Sequence, residues 1–179
     1  IILTKEVDKP LIEVGDKDVG LPSLSTDITY KVTLENDSAD KLVDVRVMDV
    51  LPYSGDSLGT SFNGSYTVKD FKFTKGTGKV AFTNSGADEN IDPNLVSGWM
   101  SFVPGASPTS AIKNAKGFLI TKDTMEVGEK LTFTITISPT SQKAGDIYRN
   151  KASFNSKIDL KVASNIVESK VYGLSLIHI

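Results

Sequence analysis

Apolar and polar residues alternate at a spacing of two through most of the chain. The clearest run covers residues 27–35, where one face carries Ile28, Tyr30, Val32 and Leu34. A period of two predicts strands with one buried face, whereas a helix needs apolar residues spaced at three and four. No stretch of ten residues shows convincing helical spacing. The pattern therefore predicts an all-β protein, built as a sandwich of antiparallel sheets.

Turn signals such as Asn63-Gly64 and Lys75-Gly76 divide the chain into short strands, about ten in all. The predicted strands cover residues 1–7, 27–35, 43–51, 65–74, 78–83, 98–103, 118–121, 131–138, 146–154, 158–162 and 166–172. The middle segment, residues 53–123, is the least regular, and we interpret it as an elaboration within one domain of residues 1–173. Residues 174–179 continue no alternation, and we expect them to lie outside the fold.

Composition and charge exclude several functional classes. The 20 Lys and Arg against 22 Asp and Glu provide no basic surplus for binding nucleic acid. No apolar run approaches the roughly 20 residues of a membrane-spanning helix, so we expect no membrane insertion. The chain has no cysteine, and its one histidine is His178. We therefore expect no cofactor and no imidazole or thiol chemistry, and we predict that the protein is not an enzyme with turnover.

Three polar residues have the parity of the apolar residues around them: Lys5, Asp49 and Asn150. Asp49, for example, shares its parity with Val43 and Val45 on the predicted strand 43–51. Burying an uncompensated charge costs on the order of several kcal/mol. Three such residues on three inward faces call for a joint explanation.

A chemical explanation is that the three residues are adjacent. Burial disfavours both charges, so a neutral Lys5 amine could coexist with a protonated Asp49 carboxyl. The amine could then attack the Asn150 side-chain amide, while Asp49 shuttles the proton and polarises the Asn150 carbonyl. Ammonia would leave, and a Lys–Asn isopeptide bond would remain.

Parity also fits an ordinary structural explanation. Lys5 could extend its amine to the edge of the sheet, and Asp49 could cap the turn before Pro52. A slip of one residue in either strand would turn the polar side chains outward. Parity alone therefore leaves both interpretations open.

Several motifs together resemble a known family: Thr4-Lys5-Glu6-Val7-Asp8, Ile28-Thr29-Tyr30-Lys31-Val32, Val45-Arg46-Val47-Met48-Asp49-Val50-Leu51-Pro52 and Tyr148-Arg149-Asn150-Lys151-Ala152. The chain resembles the isopeptide-forming, collagen-adhesin-like repeat domains of Gram-positive surface and fimbrial proteins. The resemblance implies an immunoglobulin-like Greek-key sandwich. It also implies a structural stalk module, located extracellularly on the cell surface or cell wall, with neighbouring domains of the same protein as partners.

In that family a lysine on the first strand bonds to an asparagine near the end, assisted by a buried acidic residue. By position these residues correspond to Lys5, Asn150 and Asp49. The sequence departs from the common pattern at residues 17–25, which add length before the strand of Tyr30. This insertion leaves Lys9, which has the parity of Lys5, as an alternative amine.

Two other functions remain open at this point. Residues 53–123 could form the recognition surface of an adhesin domain for a host or polysaccharide ligand, which predicts a concave aromatic patch involving residues such as Tyr53 and Trp99. The chain could also be an accessory β-sandwich of a secreted glycoside hydrolase. Asp88, Glu89 and Asp92 offer oxygen atoms to calcium, but their spacing does not match an EF-hand, and we interpret them as a solvated acidic loop.

Overall fold

A computed structural model describes residues 1–15, 25–157 and 161–173. The described residues form the following strands: Ile2–Val7 (β1), Leu11–Val14 (β2), Ile28–Glu35 (β3), Leu42–Val50 (β4), Ser65–Lys75 (β5), Lys79–Thr83 (β6), Met100–Phe102 (β7), Gly117–Met125 (β8), Lys130–Thr140 (β9), Ile147–Asn150 (β10), Ala152–Asn155 (β11), Val162–Ala163 (β12) and Val167–Gly173 (β13). Two short 3-10 helices cover Pro93–Leu95 and Thr109–Ile112. The predicted all-β class is confirmed.

The strands form three sheets. A four-stranded antiparallel sheet has the order β1-β3-β9-β5, and a six-stranded one has the order β12-β11-β4-β8-β6-β7. A smaller sheet has the order β10-β13-β2, in which β13 and β2 run parallel. Inward-facing residues of all three sheets share one hydrophobic core, as the alternating burial of β3 and β9 illustrates. The predicted immunoglobulin-like sandwich is confirmed, and the parallel pair of β2 and β13 is an exception to its predicted antiparallel pairing.

The prediction of a single strand over residues 146–154 is wrong, because the chain changes from one sheet to another at Lys151. β10 pairs with β13 in the three-stranded sheet, whereas β11 pairs with β4 in the six-stranded sheet. The alternation continues across the corner, since Asn150 and Ala152 are both buried. The parity pattern therefore survives although the hydrogen-bonding partner changes.

The predicted inward position of Val43 is also wrong. Asp44 has a φ of 53°, a left-handed conformation that interrupts the ladder between β4 and β8. Val43 pairs with Thr124, but the next pair is Val45 with Lys122. The register is the same on both sides of this gap, but the burial pattern changes, so that Leu42 and Val45 are buried while Val43 is exposed.

The elaborated middle segment covers the outer face of the six-stranded sheet. Ala87, Val96 and Trp99 pack on a second apolar cluster, whose buried members are Met48, Val50 and Leu119. Both faces of β4 are therefore covered beside Asp49, which is fully buried. No helix among the described residues is long and apolar enough to cross a membrane. The predicted tail 174–179, residues 17–24 of the insertion 17–25 and residues 158–160 of the predicted strand 158–162 lie outside the described residues.

Candidate functional site: a buried lysine, aspartate and asparagine

Lys5 lies on β1, at the edge of the four-stranded sheet, and its backbone pairs with Val32 of β3. Leu3 and Lys5 are the buried positions of this strand, as the period of two requires. The Lys5 side chain is fully buried, and its Nζ forms an ion pair with Oδ2 of Asp49. The amine therefore points into the core and meets a carboxylate there.

Asp49 brings the other two residues together. It lies near the end of β4 and pairs with Ala152, so that the corner between β10 and β11 lies beside it. Oδ1 of Asp49 accepts a hydrogen bond of 2.9 Å from Nδ2 of Asn150. Both side chains are fully buried. The carboxylate thus contacts Lys5 through one oxygen and Asn150 through the other.

The orientation of the Asn150 amide is fixed by the backbone. The N–H of Lys151 donates to Oδ1 of Asn150 at 2.8 Å. Because a backbone N–H can only donate, the atom facing it is the amide oxygen, and the amide nitrogen faces Asp49. This differs from the prediction that Asp49 polarises the Asn150 carbonyl, since Asp49 contacts the side of the amide that carries the leaving nitrogen.

Burial controls the electrostatics of this site. Burial lowers the pKa of Lys5, while attraction to Asp49 acts in the opposite direction. The Lys5 Nζ also lies 4.7 Å from the ring centre of Tyr30, which is buried. Burial, followed by the charge of Asp49, raises the pKa of the Tyr30 hydroxyl, so this group stays neutral. An amine with a lowered pKa, held on a carboxylate, is suited to become a nucleophile.

Asn165 holds the backbone of Lys5, a role that the sequence analysis missed. Its Oδ1 accepts from the Lys5 N–H at 2.9 Å, and its Nδ2 donates to the Lys5 carbonyl at 2.9 Å. The neighbouring Ser164 Oγ accepts from the N–H of Ala152 at 2.8 Å. Residues 164–165 thus connect the free edge of β1 to the start of β11. Alternation carries no signal for such a contact, because both residues lie between strands.

The alternative amine, Lys9, lies elsewhere. Its Nζ forms an ion pair of 3.1 Å with Asp8 and donates to the Asp27 carbonyl at 2.9 Å. Its side chain is 39% exposed, compared with 0% for Lys5. The structure brings Lys5, rather than Lys9, onto Asp49.

The calcium candidates hold loops together. Oδ1 of Asp88 accepts from the N–H of Asn90 at 2.8 Å. Glu89 is buried and accepts hydrogen bonds from the Ser57 N–H and the Tyr53 hydroxyl. Within the described residues, no group of three or more His, Cys, Asp or Glu side chains could hold a metal ion.

Asp92 belongs to a second Lys–Asp–Asn set, which the sequence analysis did not identify. Its Oδ2 pairs with Lys161 Nζ at 3.0 Å, and its Oδ1 accepts from Asn155 Nδ2 at 2.6 Å. Oδ1 of Asn155 accepts from the N–H of Ser156 at 2.7 Å. The Lys161 side chain is 59% exposed. We call Lys5, Asp49 and Asn150 the buried triad, and Lys161, Asp92 and Asn155 the surface triad.

The aromatic residues fall into two groups. Phe71 and Phe73 pack edge to face and contact Phe133 in the core, and Trp99 packs on the outer cluster. A separate open cavity of about 380 Å³ is lined by three further aromatic residues, Tyr53, Phe62 and Tyr66. Its lining also includes Pro52 and Lys116. The middle segment therefore provides both aromatic packing and one concave aromatic surface.

Comparison with known proteins yields similarity at the level of solved structures. No family model matches the chain, and no curated protein matches it. Several of the structures that it is similar to are domains of Gram-positive surface adhesins and pilins. A macrocyclization catalyst, AvmM of alchivemycin A biosynthesis, is also among them.

Three of these structures serve as examples of the sequence identity, TM-score and coverage. The major pilin subunit BcpA of Bacillus cereus is 12% identical, with a TM-score of 0.43, over 94% of this chain and 40% of that one. The C-terminal domain of the Streptococcus pyogenes protein AspA is 12% identical, with a TM-score of 0.43, over 95% and 46%. The collagen-binding domain of a Staphylococcus aureus adhesin is 9% identical, with a TM-score of 0.38, over 96% and 97%. The chain thus spans less than half the length of the first two.

Proposed function

We propose that this chain is a structural module of a bacterial cell-surface protein, and that Lys5 and Asn150 join in an intramolecular isopeptide bond. The observation that carries the proposal is the contact of one buried carboxylate, Asp49, with both side chains. The resemblance of the surrounding motifs to isopeptide-forming domains supports it. The extracellular, surface-anchored location and the neighbouring domains as partners are part of the same proposal.

The reaction follows from the positions of the two carboxylate oxygens. Asp49 takes a proton from Lys5 through Oδ2, and the neutral amine attacks Cγ of Asn150. An amine proton reaches the amide nitrogen by way of the carboxyl group, whose Oδ1 faces that nitrogen. The bond from Cγ to Nδ2 breaks and ammonia leaves. The new amide nitrogen keeps one hydrogen, ammonia carries three, and Asp49 keeps the remaining proton.

The mechanical value of the bond follows from its place in the chain. It would join β1 to β10 and close a loop of about 145 residues, which stabilises the fold by about 5 kcal/mol in the chain-entropy estimate. A pulling force that enters through β1 would pass directly to Asn150 and bypass most of the core. Such a tie suits a stalk module exposed to shear and proteases.

Intact mass under denaturing conditions tests the proposal. We expect the wild-type chain to be lighter than calculated by one ammonia, and Lys5→Ala, Asp49→Ala and Asn150→Ala to have their full calculated masses. Lys9→Ala is the matched control, because Lys9 lies on the surface, and it should keep the deficit. A wild-type chain of full calculated mass would refute the proposal.

Ligand binding at the aromatic cavity is a second candidate function. The cavity lined by Tyr53, Phe62 and Tyr66 is concave, and Lys116 adds a positive charge whose Nζ lies 5.5 Å from the ring centre of Tyr66. Aromatic walls with few polar groups are typical of small-ligand sites. We expect a subset of neutral and acidic oligosaccharides to bind on an array, and Tyr53→Ala to lose this binding. Tyr172→Ala, an exposed tyrosine outside the cavity, is the control. Binding that Tyr53→Ala leaves unchanged would exclude this site.

A further inference from the structure

We infer that the backbone N–H of Lys151 is a catalytic group of the isopeptide reaction, serving as the hydrogen-bond donor to the oxyanion. This inference rests on the proposed function, because it concerns the same reaction. When the Lys5 amine attacks Cγ of Asn150, the carbonyl electron pair moves onto Oδ1. The group that already contacts this atom is the Lys151 N–H, at 2.8 Å.

Burial increases the effect of this hydrogen bond on the reaction. Asn150 is fully buried, so water does not stabilise a charge that develops on Oδ1. Asp49 is occupied on the nitrogen side of the amide, where it receives Nδ2. A preorganised donor in a dry site stabilises a developing negative charge much more than it would in water.

The fold makes this N–H available by changing sheets at Lys151. Asn150 is the last residue of β10 and pairs with Val167, while Ala152 is the first residue of β11 and pairs with Asp49. Lys151 lies between these ladders and belongs to neither strand. In an uninterrupted strand, by contrast, backbone N–H groups form hydrogen bonds with the neighbouring strand. The corner therefore directs the donor toward the amide of the preceding residue.

The N–H has two roles along the reaction. Before attack it holds the amide in the orientation that presents Nδ2, the leaving nitrogen, to Asp49. During attack it binds the oxyanion, and when the bond from Cγ to Nδ2 breaks, the electron pair on Oδ1 re-forms the carbonyl. The donor itself gains and loses no proton, so the stoichiometry of the reaction is unchanged.

An amide-to-ester replacement tests this inference. The α-hydroxy analogue of lysine, introduced at position 151 by nonsense suppression in cell-free translation, removes the N–H and keeps the side chain. Samples quenched at intervals after synthesis are then weighed for the loss of ammonia. Because deletion of one oxyanion donor slows catalysis by about 10²- to 10³-fold in enzymes, we expect a slowing on the order of 10²-fold.

The matched control places the same analogue at Lys170. Its N–H donates to the Pro10 carbonyl at 2.9 Å, a backbone bond outside the triad. We expect this chain to lose ammonia at a rate close to that of the natural chain. An ester at position 151 that reacts as fast as the Lys170 control would overturn the inference and leave the proposed function intact. A natural chain that never loses ammonia would overturn both.

Hydrogen exchange tests the inference if the chain with the ester at position 151 does not fold. In Lys5→Met, which cannot cross-link, the Lys151 amide should exchange at least about 10²-fold more slowly than an unstructured amide, since its hydrogen bond must open first. A Lys151 amide that exchanges at the unstructured rate in the folded variant would overturn the inference.

Discussion

The buried and surface triads share three contacts and differ in their exposure to solvent. In each, a lysine Nζ pairs with one aspartate oxygen, and an asparagine Nδ2 donates to the other. In each, the N–H of the next residue donates to the asparagine Oδ1. The lysine is fully buried in the first triad, whereas it is 59% exposed in the second.

This comparison separates geometry from environment. The contacts alone would allow either triad to react. Burial lowers the pKa of Lys5 and thereby favours the neutral amine that attacks. The Lys161 side chain is 59% exposed, so burial does not favour its neutral form in the same way. We therefore expect burial to decide which triad reacts, and we propose the cross-link for the buried triad alone.

The largest predicted difference is in the stability lost when each of the two aspartates is replaced by alanine. Asp49→Ala should lose the cross-link, worth about 5 kcal/mol, and leave a buried unpaired lysine, which costs about 3–5 kcal/mol more. Asp92→Ala should cost less, about 2–4 kcal/mol, from a lost helix cap, a partly exposed ion pair and the hydrogen bond from the buried Asn155. Urea unfolding of both variants measures the difference.

Asn150→Ala is the control that separates the two contributions of Asp49. It removes the cross-link but keeps the ion pair between Lys5 and Asp49, so its loss should be close to the cross-link contribution. Equal stability losses for Asp49→Ala and Asp92→Ala would contradict the distinction between the triads.

Acid should destabilise the loop that contains Glu89. Burial alone would raise the pKa of Glu89, but hydrogen bonds from Ser57 and Tyr53 outweigh it and lower the pKa to about 2, from an ordinary value of 4.5. A lowered carboxyl pKa contributes stability that is present above the ordinary value and is lost as the pH falls toward 2. We expect a loss of about 1.5–3 kcal/mol over that range, as for hydrogen bonds to a charged group.

Urea unfolding monitored by Trp99 fluorescence tests this expectation, because Trp99 packs on the same apolar cluster as Ala87, which lies two residues before Glu89. Glu89→Gln should be less stable at pH 6 and show a smaller loss on acidification. A variant with the same pH dependence as the wild type would show that Glu89 is not the responsible group.

Sequence alternation predicted the interior of the sandwich well, because burial imposes a period of two on each strand. It indicated the inward positions of Lys5, Asp49 and Asn150 even though the strand containing Asn150 breaks at Lys151. It did not predict that break, because changing sheets alters the hydrogen-bonding partner and not the alternation. It also failed at Val43, where the burial pattern changes beside the left-handed Asp44.

The surroundings of the triad were less predictable. Asn165 contacts the backbone of Lys5 from 160 positions away in the chain, and neither residue type nor spacing indicates such a contact. The surface triad was missed for the same reason, since Asp92 lies 63 positions from Asn155. Contacts made by loops depend on tertiary geometry, which a periodic pattern does not encode.

Removal of the Asn165 side chain should have a moderate effect on the buried triad. Asn165→Ala loses two hydrogen bonds to the edge of β1, which we expect to cost about 1–2 kcal/mol. Cross-linking should also slow, because the Lys5 backbone becomes less restrained. Time-resolved intact mass and urea unfolding measure both effects. Asn63→Ala, an exposed asparagine in a turn, should change neither, and an equal effect at both positions would exclude a positioning role.

The smallest effect is expected at the surface lysine. Lys161→Ala removes an ion pair whose lysine is itself 59% exposed, so stability should change by no more than about 0.5–1 kcal/mol. The mass deficit of the chain should be unchanged. Loss of the deficit in this variant would show that the surface triad reacts.

Peptide mapping of the wild-type chain tests the central claim most directly. The purified protein is unfolded, digested with a protease and examined by tandem mass spectrometry for branched peptides. We predict one branch, joining Lys5 to Asn150 with the loss of one ammonia. A branch joining Lys161 to Asn155, or a digest without any branched peptide, would contradict the account.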